Sequence, residues 1–263
     1  LNLASTTVNG PGTLTNVAGQ TLTLSASTIA ATSALENQGL LVTQGGTAIT
    51  GPLTTTPSST IRIEGMGAYG NALLTVATGF TNTGAIELTT VTSAYTAQLT
   101  TGTLVNSPTG TITTLVGAAG PRNLFAQLDN QGAITVNQPL TLNLAGADHV
   151  NSGTITLAAG NFTVTQGGTT PSFTNTGTIT AGAGRTLTIT TGAFTQQTGA
   201  TLDGGGALTL SAVTADFQTG FTLSTLTATS SSLTFATNLS TAALALNLAS
   251  TTVNGPGTLT NVA

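Results

Sequence analysis

The sequence predicts an all-β chain wound as a parallel β-helix, a β-solenoid of stacked coils. Three observations carry this. Threonine alternates with Leu, Ile and Val through most of the 263 residues, and only 4% of the chain is charged. Residues 1–18 (LNLASTTVNGPGTLTNVA) recur without change as residues 246–263. Between them runs a degenerate shorter period, marked by Asn, small residues and Gly followed by an alternating strand. Alternation with period two, rich in β-branched residues, is a strand signal. A repeat of twenty to fifty residues holding several strands is a solenoid signal.

Composition excludes much. A typical soluble domain is about a quarter charged. Here there is no Lys, and the basic residues are Arg62, Arg122 and Arg185. Three scattered arginines cannot neutralise a nucleic-acid backbone, so no nucleic-acid partner is expected. No Cys and a single His, His149, leave no zinc, haem or iron–sulfur site and no disulfide scaffold. No cofactor or metal is expected. No apolar run is long enough to span a membrane. The chain opens on Leu1 and its one methionine is Met66, which reads as an interior stretch of a longer polypeptide.

The terminal identity sets the larger organisation. Its offset is 245 residues. Residues 1–245 therefore read as one repeat unit, and residues 246–263 as the start of the next. The expected partners are head-to-tail copies of the same unit within one polypeptide.

The shorter period sets the coils. Its corner residues are Asn9, Asn37, Asn82, Asn106, Asn130, Asn151, Asn175, Asp203 and Asn254. Their spacings are 28, 45, 24, 24, 21, 24, 28 and 51 residues. The two long intervals are each taken to hide a coil lacking the signature. That gives ten coils of about 24 residues per unit, and an axial advance of roughly 48 Å at one strand spacing per coil. In each coil a T-I-T strand follows the corner, as at Thr111–Thr113, Thr154–Thr156 and Thr178–Thr180, with its apolar residue inward. A second strand follows at TLTL (21–24), TLNL (141–144), FTVT (162–165) and LTIT (187–190). Residues 240–249 (STAALALNLA) also alternate with period two and read as strand. The marker asparagines are expected to stack inward as an amide ladder at one corner, each bonding the next, with Asp203 a variant member.

Two stretches break the pattern. Residues 51–79 and 114–127 contain Pro, Gly and the arginines Arg62 and Arg122. Both read as coils with a longer protruding loop, where a binding surface would be sought.

The strings FTNTGTITAGAGRTLTITTGAF and LDNQGAITVNQPLTLN resemble the right-handed parallel β-helix repeats of filamentous haemagglutinin-like and autotransporter-type bacterial surface proteins. The resemblance implies an extracellular, cell-surface rod exported across an outer membrane. It implies roles in adhesion or matrix, with lateral self-association and a cell-surface or glycan target as possible contacts.

Chemistry offers little beside this. The acids Glu36, Glu64, Glu87, Asp129, Asp148, Asp203 and Asp216 are scattered, with Glu64 and Glu87 one coil apart. Asp148-His149 reads as a solvated turn before Asn151. No catalytic pairing is expected, and the chain reads as a non-enzyme. Gly204–Gly206 after Asp203 reads as a tight turn; calcium would need several spaced carboxylates. The alternative function is an ice-binding or glycan-binding solenoid using outward T-x-T faces, beginning with Thr13–Thr15.

Overall fold

Short strands that bury one side must pair their backbone groups with neighbouring strands, and here each neighbour lies in the adjacent coil. The computed structural model describes residues 1–262 and contains no helix among them. Every named strand pairs in parallel with its equivalent one coil away, giving a solenoid of about 12 turns of about 21 residues.

Each turn has three faces. The first runs from Asn2–Ala4 through Thr21–Ser25, Leu40–Gln44, Thr60–Gly65 and Ala85–Thr90 to Thr201–Asp203, ten strands in hydrogen-bonded order. It then thins to a bridge between Asp203 and Thr222 and to the pair Leu239–Ser240 and Leu259–Thr260. The second face begins at Thr7–Val8, Thr28–Ile29 and Gly46–Ile49 and ends at Thr225–Thr229 and Ala245–Ala249. The third begins at Gly12–Asn16 and Ser33–Asn37 and ends at Ser232–Phe235 and Thr252–Asn254. In Ala97–Asn106 and Arg122–Asn130 one strand serves both second and third faces.

Alternation decides what lies inside. On the first face Leu22, Leu41, Ile61, Ile86, Ile112, Ile134, Ile155, Ile179 and Leu202 stack in one buried column. On the second, Leu74, Leu99, Leu124, Leu142, Val164, Ile189, Leu210 and Ala228 do the same. On the third, Phe173 stacks on Phe194, and Phe217 on Phe235. Each column buries one side chain against the next, so a coil gains stability only from its neighbours.

The glycine of the N-x-G signature is required by close approach between coils. A side chain at Gly153 would overlap the carbonyl oxygen of Gly132, and one at Gly177 that of Gly153. Corners elsewhere use left-handed backbone, as at Ala26 (φ 46°) and Gly45 (φ 62°).

The expected ten coils of about 24 residues per unit are corrected to shorter turns of about 21 residues, about 12 of them over the described chain. Thr55 does fill the corner hidden in the 45-residue interval. Three of the chosen markers, however, sit elsewhere in the coil. Asn9 and Asn254 are exposed, and Asp203 lies on the first face opposite Thr180. The corner residues at those levels are Asn16, Gln196, Phe217, Phe235 and, by continuation of the register, Gly255. Asn16 and Gln196 keep an amide there without the N-x-G signature, and Phe217 and Phe235 replace it with rings that the third face buries.

Candidate functional site

The most ordered polar feature is the amide ladder where the third face turns into the first. Asn82, Asn106, Asn130, Asn151 and Asn175 are fully buried. Each Nδ2 donates to the next coil's side chain: Asn82 to Asn106 at 2.8 Å, Asn106 to Asn130 at 2.8 Å, Asn130 to Asn151 at 2.6 Å and Asn151 to Asn175 at 2.7 Å. Asn175 Nδ2 donates to Gln196 Oε1 at 2.8 Å. The same nitrogens also donate to the opening carbonyl of the next coil's first-face strand, as Asn130 to Thr154 O at 3.2 Å. A separate link joins Asn16 Nδ2 to Asn37 Oδ1 at 2.7 Å.

The ladder expectation therefore holds for Asn37, Asn82, Asn106, Asn130, Asn151 and Asn175. It fails for Asn9, Asn254 and Asp203, which point outward or belong to another face. Asn16 and Gln196 were missed, since neither carries the N-x-G signature. Where Thr55 and Phe217 interrupt the column, Asn82 Oδ1 and Gln196 Nε2 are left without a side-chain partner.

Charged groups are dispersed. Arg62 Nε donates to Glu87 Oε2 at 2.7 Å across one coil, and Gln44 Nε2 donates to Glu64 at 2.9 Å. Glu64 and Glu87 are thus each engaged by another residue, in register with Thr89 and Arg62. No cluster of three His or acidic residues occurs among the described residues. Arg122 is buried with no acid beside it. Its guanidinium donates to the carbonyls of Gly120 at 2.6 Å and Ala118 at 3.1 Å, holding the 115–121 loop. Burial lowers its pKa from the ordinary value.

His149 lies in a strand and not in a solvated turn. It faces inward in the column between Leu128 and Phe173, while Asp148 points outward. Its Nδ1 accepts from the Leu128 N–H at 3.2 Å. Burial pushes its pKa down to about 4, with Asp148 opposing. A depressed histidine pKa means the unfolded chain binds the proton first. Stability should be full above pH 6.5 and fall as pH drops through 6.5 to about 4, by about 3 kcal/mol in all. In His149→Gln, which keeps an acceptor but does not titrate, that slope between pH 6.5 and 4 should vanish from urea unfolding. An unchanged slope would place the titration elsewhere.

The two irregular stretches meet on one edge. In three consecutive coils the corner from first to second face carries the loops 66–71, 91–96 and 115–121. They hold both tyrosines, Tyr69 and Tyr95, and the exposed Val91 and Val116. The 91–96 loop lacks Pro and was not distinguishable from strand by composition. An open cleft of about 550 Å³ lies where the first face thins, lined by Phe221, Leu223, Phe235, Leu239 and Leu244.

Threonine also forms columns on the outer surface. On the first face Thr113, Thr135, Thr156 and Thr180 are in register before Asp203 interrupts. Thr13–Thr15 belongs to the third face instead. The longer array is on the second face: Thr141, Thr163, Thr188, Thr209 and Thr227 align, flanked by Thr165, Thr190, Ser211 and Thr229.

No protein-family model, no curated protein and no solved structure matches this chain.

Proposed function

We propose that this chain is a structural repeat of a long, non-catalytic, extracellular β-solenoid fibre or adhesin stalk on a bacterial surface. The recurrence of residues 1–18 at 246–263 carries the reading, because it occurs in a fold whose coils add without limit along one axis. The buried amide ladder and aliphatic columns suit a stiff rod, and the Tyr69 and Tyr95 edge suits contact with a surface or glycan. The exposed Tyr69 and the half-buried Tyr95 offer ring area on which a sugar can stack.

The five-coil threonine array of the second face favours a second reading, ordering of water at an ice or glycan surface. Hydroxyls there repeat at the coil spacing of about 4.8 Å. Electron microscopy with diffraction on native material separates the two. Thin unbranched rods with an axial spacing near 4.8 Å support the stalk. Discrete short particles that retard ice growth would replace it with the second reading.

A further inference from the structure

The two identical segments lie on different faces. Leu3 pairs with Leu24 on the first face, but its counterpart Leu248 pairs with Ala228 on the second. Val8 pairs with Ile29 on the second face, and its counterpart Val253 with Leu233 on the third. Leu14 pairs with Leu35 on the third face, and its counterpart Leu259 with Leu239 on the first. Every counterpart is displaced by one face in the same direction. Twelve second-face strands separate the Thr7–Val8 coil from the Ala245–Ala249 coil, counting both. A unit of 245 residues thus spans eleven turns and one further face.

We propose that successive units enter the solenoid one face out of phase, so that each is turned by a third of a revolution relative to the one before. This rests on the fibre reading above. The partner is a second copy of the unit, continuing the chain on the coil that holds residues 245–262.

Local chemistry permits the shift. The corner at Ser5 (φ 49°) and that at Ser250 (φ 50°) are the same device on different edges. In each, the next threonine donates its hydroxyl back across the corner, Thr6 to Ala4 O at 2.9 Å and Thr251 to Ala249 O at 3.0 Å. Each face offers apolar partners at the junction, Leu24, Ile29 and Leu35 in one phase and Ala228, Leu233 and Leu239 in the other. The following coil is also independent of the face. Leu24, Ile29 and Leu35 cover Leu3, Val8 and Leu14 in the first unit. Their counterparts in the next unit would cover Leu248, Val253 and Leu259, which are about two-fifths exposed (38%, 39% and 41%).

The ladder agrees. Its column runs out through Gln196, Phe217 and Phe235 before the next segment begins. Asn261, counterpart of the ladder residue Asn16, instead meets Thr241 at the next corner, accepting from its hydroxyl at 3.1 Å. A new ladder would start on that edge. In-phase stacking would set Asn261 on an apolar column with no amide beneath it.

The consequence is geometric. One unit advances about 54 Å at one strand spacing per turn. The tyrosine-bearing edge then appears on each of the three edges in turn, and the sequence register returns after three units. A fibre built this way presents contact loops all round its axis, which suits multivalent attachment.

The test uses a polypeptide of three consecutive units, which has no native cysteine. Thr227 and Asn247 are in register on the second face with exposed or half-exposed side chains. Neighbouring parallel strands place Cα atoms within disulfide range. The pair T227C with N247C should cross-link on mild oxidation, whereas T222C with N247C, the pair an in-phase junction would join, should not. Cryo-electron microscopy should show the protruding edge shifting by a third of a turn between units. A continuous rod with the reverse cross-link, or with one edge decorated in line, overturns the phase shift and leaves the fibre standing. Separate particles with neither cross-link overturn both.

Discussion

Asn130→Leu should destabilise the solenoid by about 3 kcal/mol or more. Asn130 accepts from Asn106 at 2.8 Å and donates to Asn151 at 2.6 Å, with further donation to the carbonyls of Gly132 and Thr154. Leucine would leave the Asn106 amide without its acceptor and the Asn151 oxygen without its donor, all fully buried. Each orphaned group costs about 1–3 kcal/mol, and low local dielectric raises the stakes for a connected chain of amides. Asn9→Ala and Asn254→Ala are the controls, since both side chains are exposed; each should stay within about 0.5 kcal/mol. Urea unfolding, with amide exchange read at Gly132 and Gly153, measures the difference. If Asn130→Leu matches the controls, the ladder is an ordering device with no net stabilising role.

Phe194→Ala should cost about 3–5 kcal/mol. Phe194 is fully buried on the third face, with ring centroids 5.8 Å from both Phe173 and Phe217. Its removal opens a cavity between coils whose backbones are tied on both sides by parallel ladders, so the walls cannot collapse into it. Phe125 is the contrast, a half-buried ring on the outward side of its strand. Phe125→Ala should lose only about 1 kcal/mol, roughly half of what full burial of the ring supplies. Thermal and urea midpoints of the two variants decide the point. Equal losses would mean that the third-face aromatics are not the core of this stretch.

Both expectations use features of unequal legibility in the sequence. T-I-T alternation made the strands of the first face readable, because the period-two pattern is a property of each strand alone. The six ladder asparagines Asn37 to Asn175 were readable because each precedes a glycine that the coil stacking demands. Asn16 and Gln196 were not, because they occupy the ladder without that glycine. His149 was misplaced for a related reason. An acid followed by histidine looks like a turn, yet one step of alternation sends Asp148 out and His149 in. The edge formed by the loops at 66–71, 91–96 and 115–121 was half visible, in Pro and Gly, and half hidden in VTSAYT.

The amino-acid string alone determines that this chain is β, that its coils must stack to be stable, and that 18 residues recur at an interval of 245. Those are consequences of composition and local alternation. Coil length, the membership of the ladder and the face on which each repeat lies are decided only in three dimensions. The reason is that all three faces share one period-two pattern, a mostly apolar buried column beneath outward, threonine-rich positions. Local pattern therefore cannot tell one face from another. The choice falls to which coil lies beneath, as the different partners of Leu3 and Leu248 show.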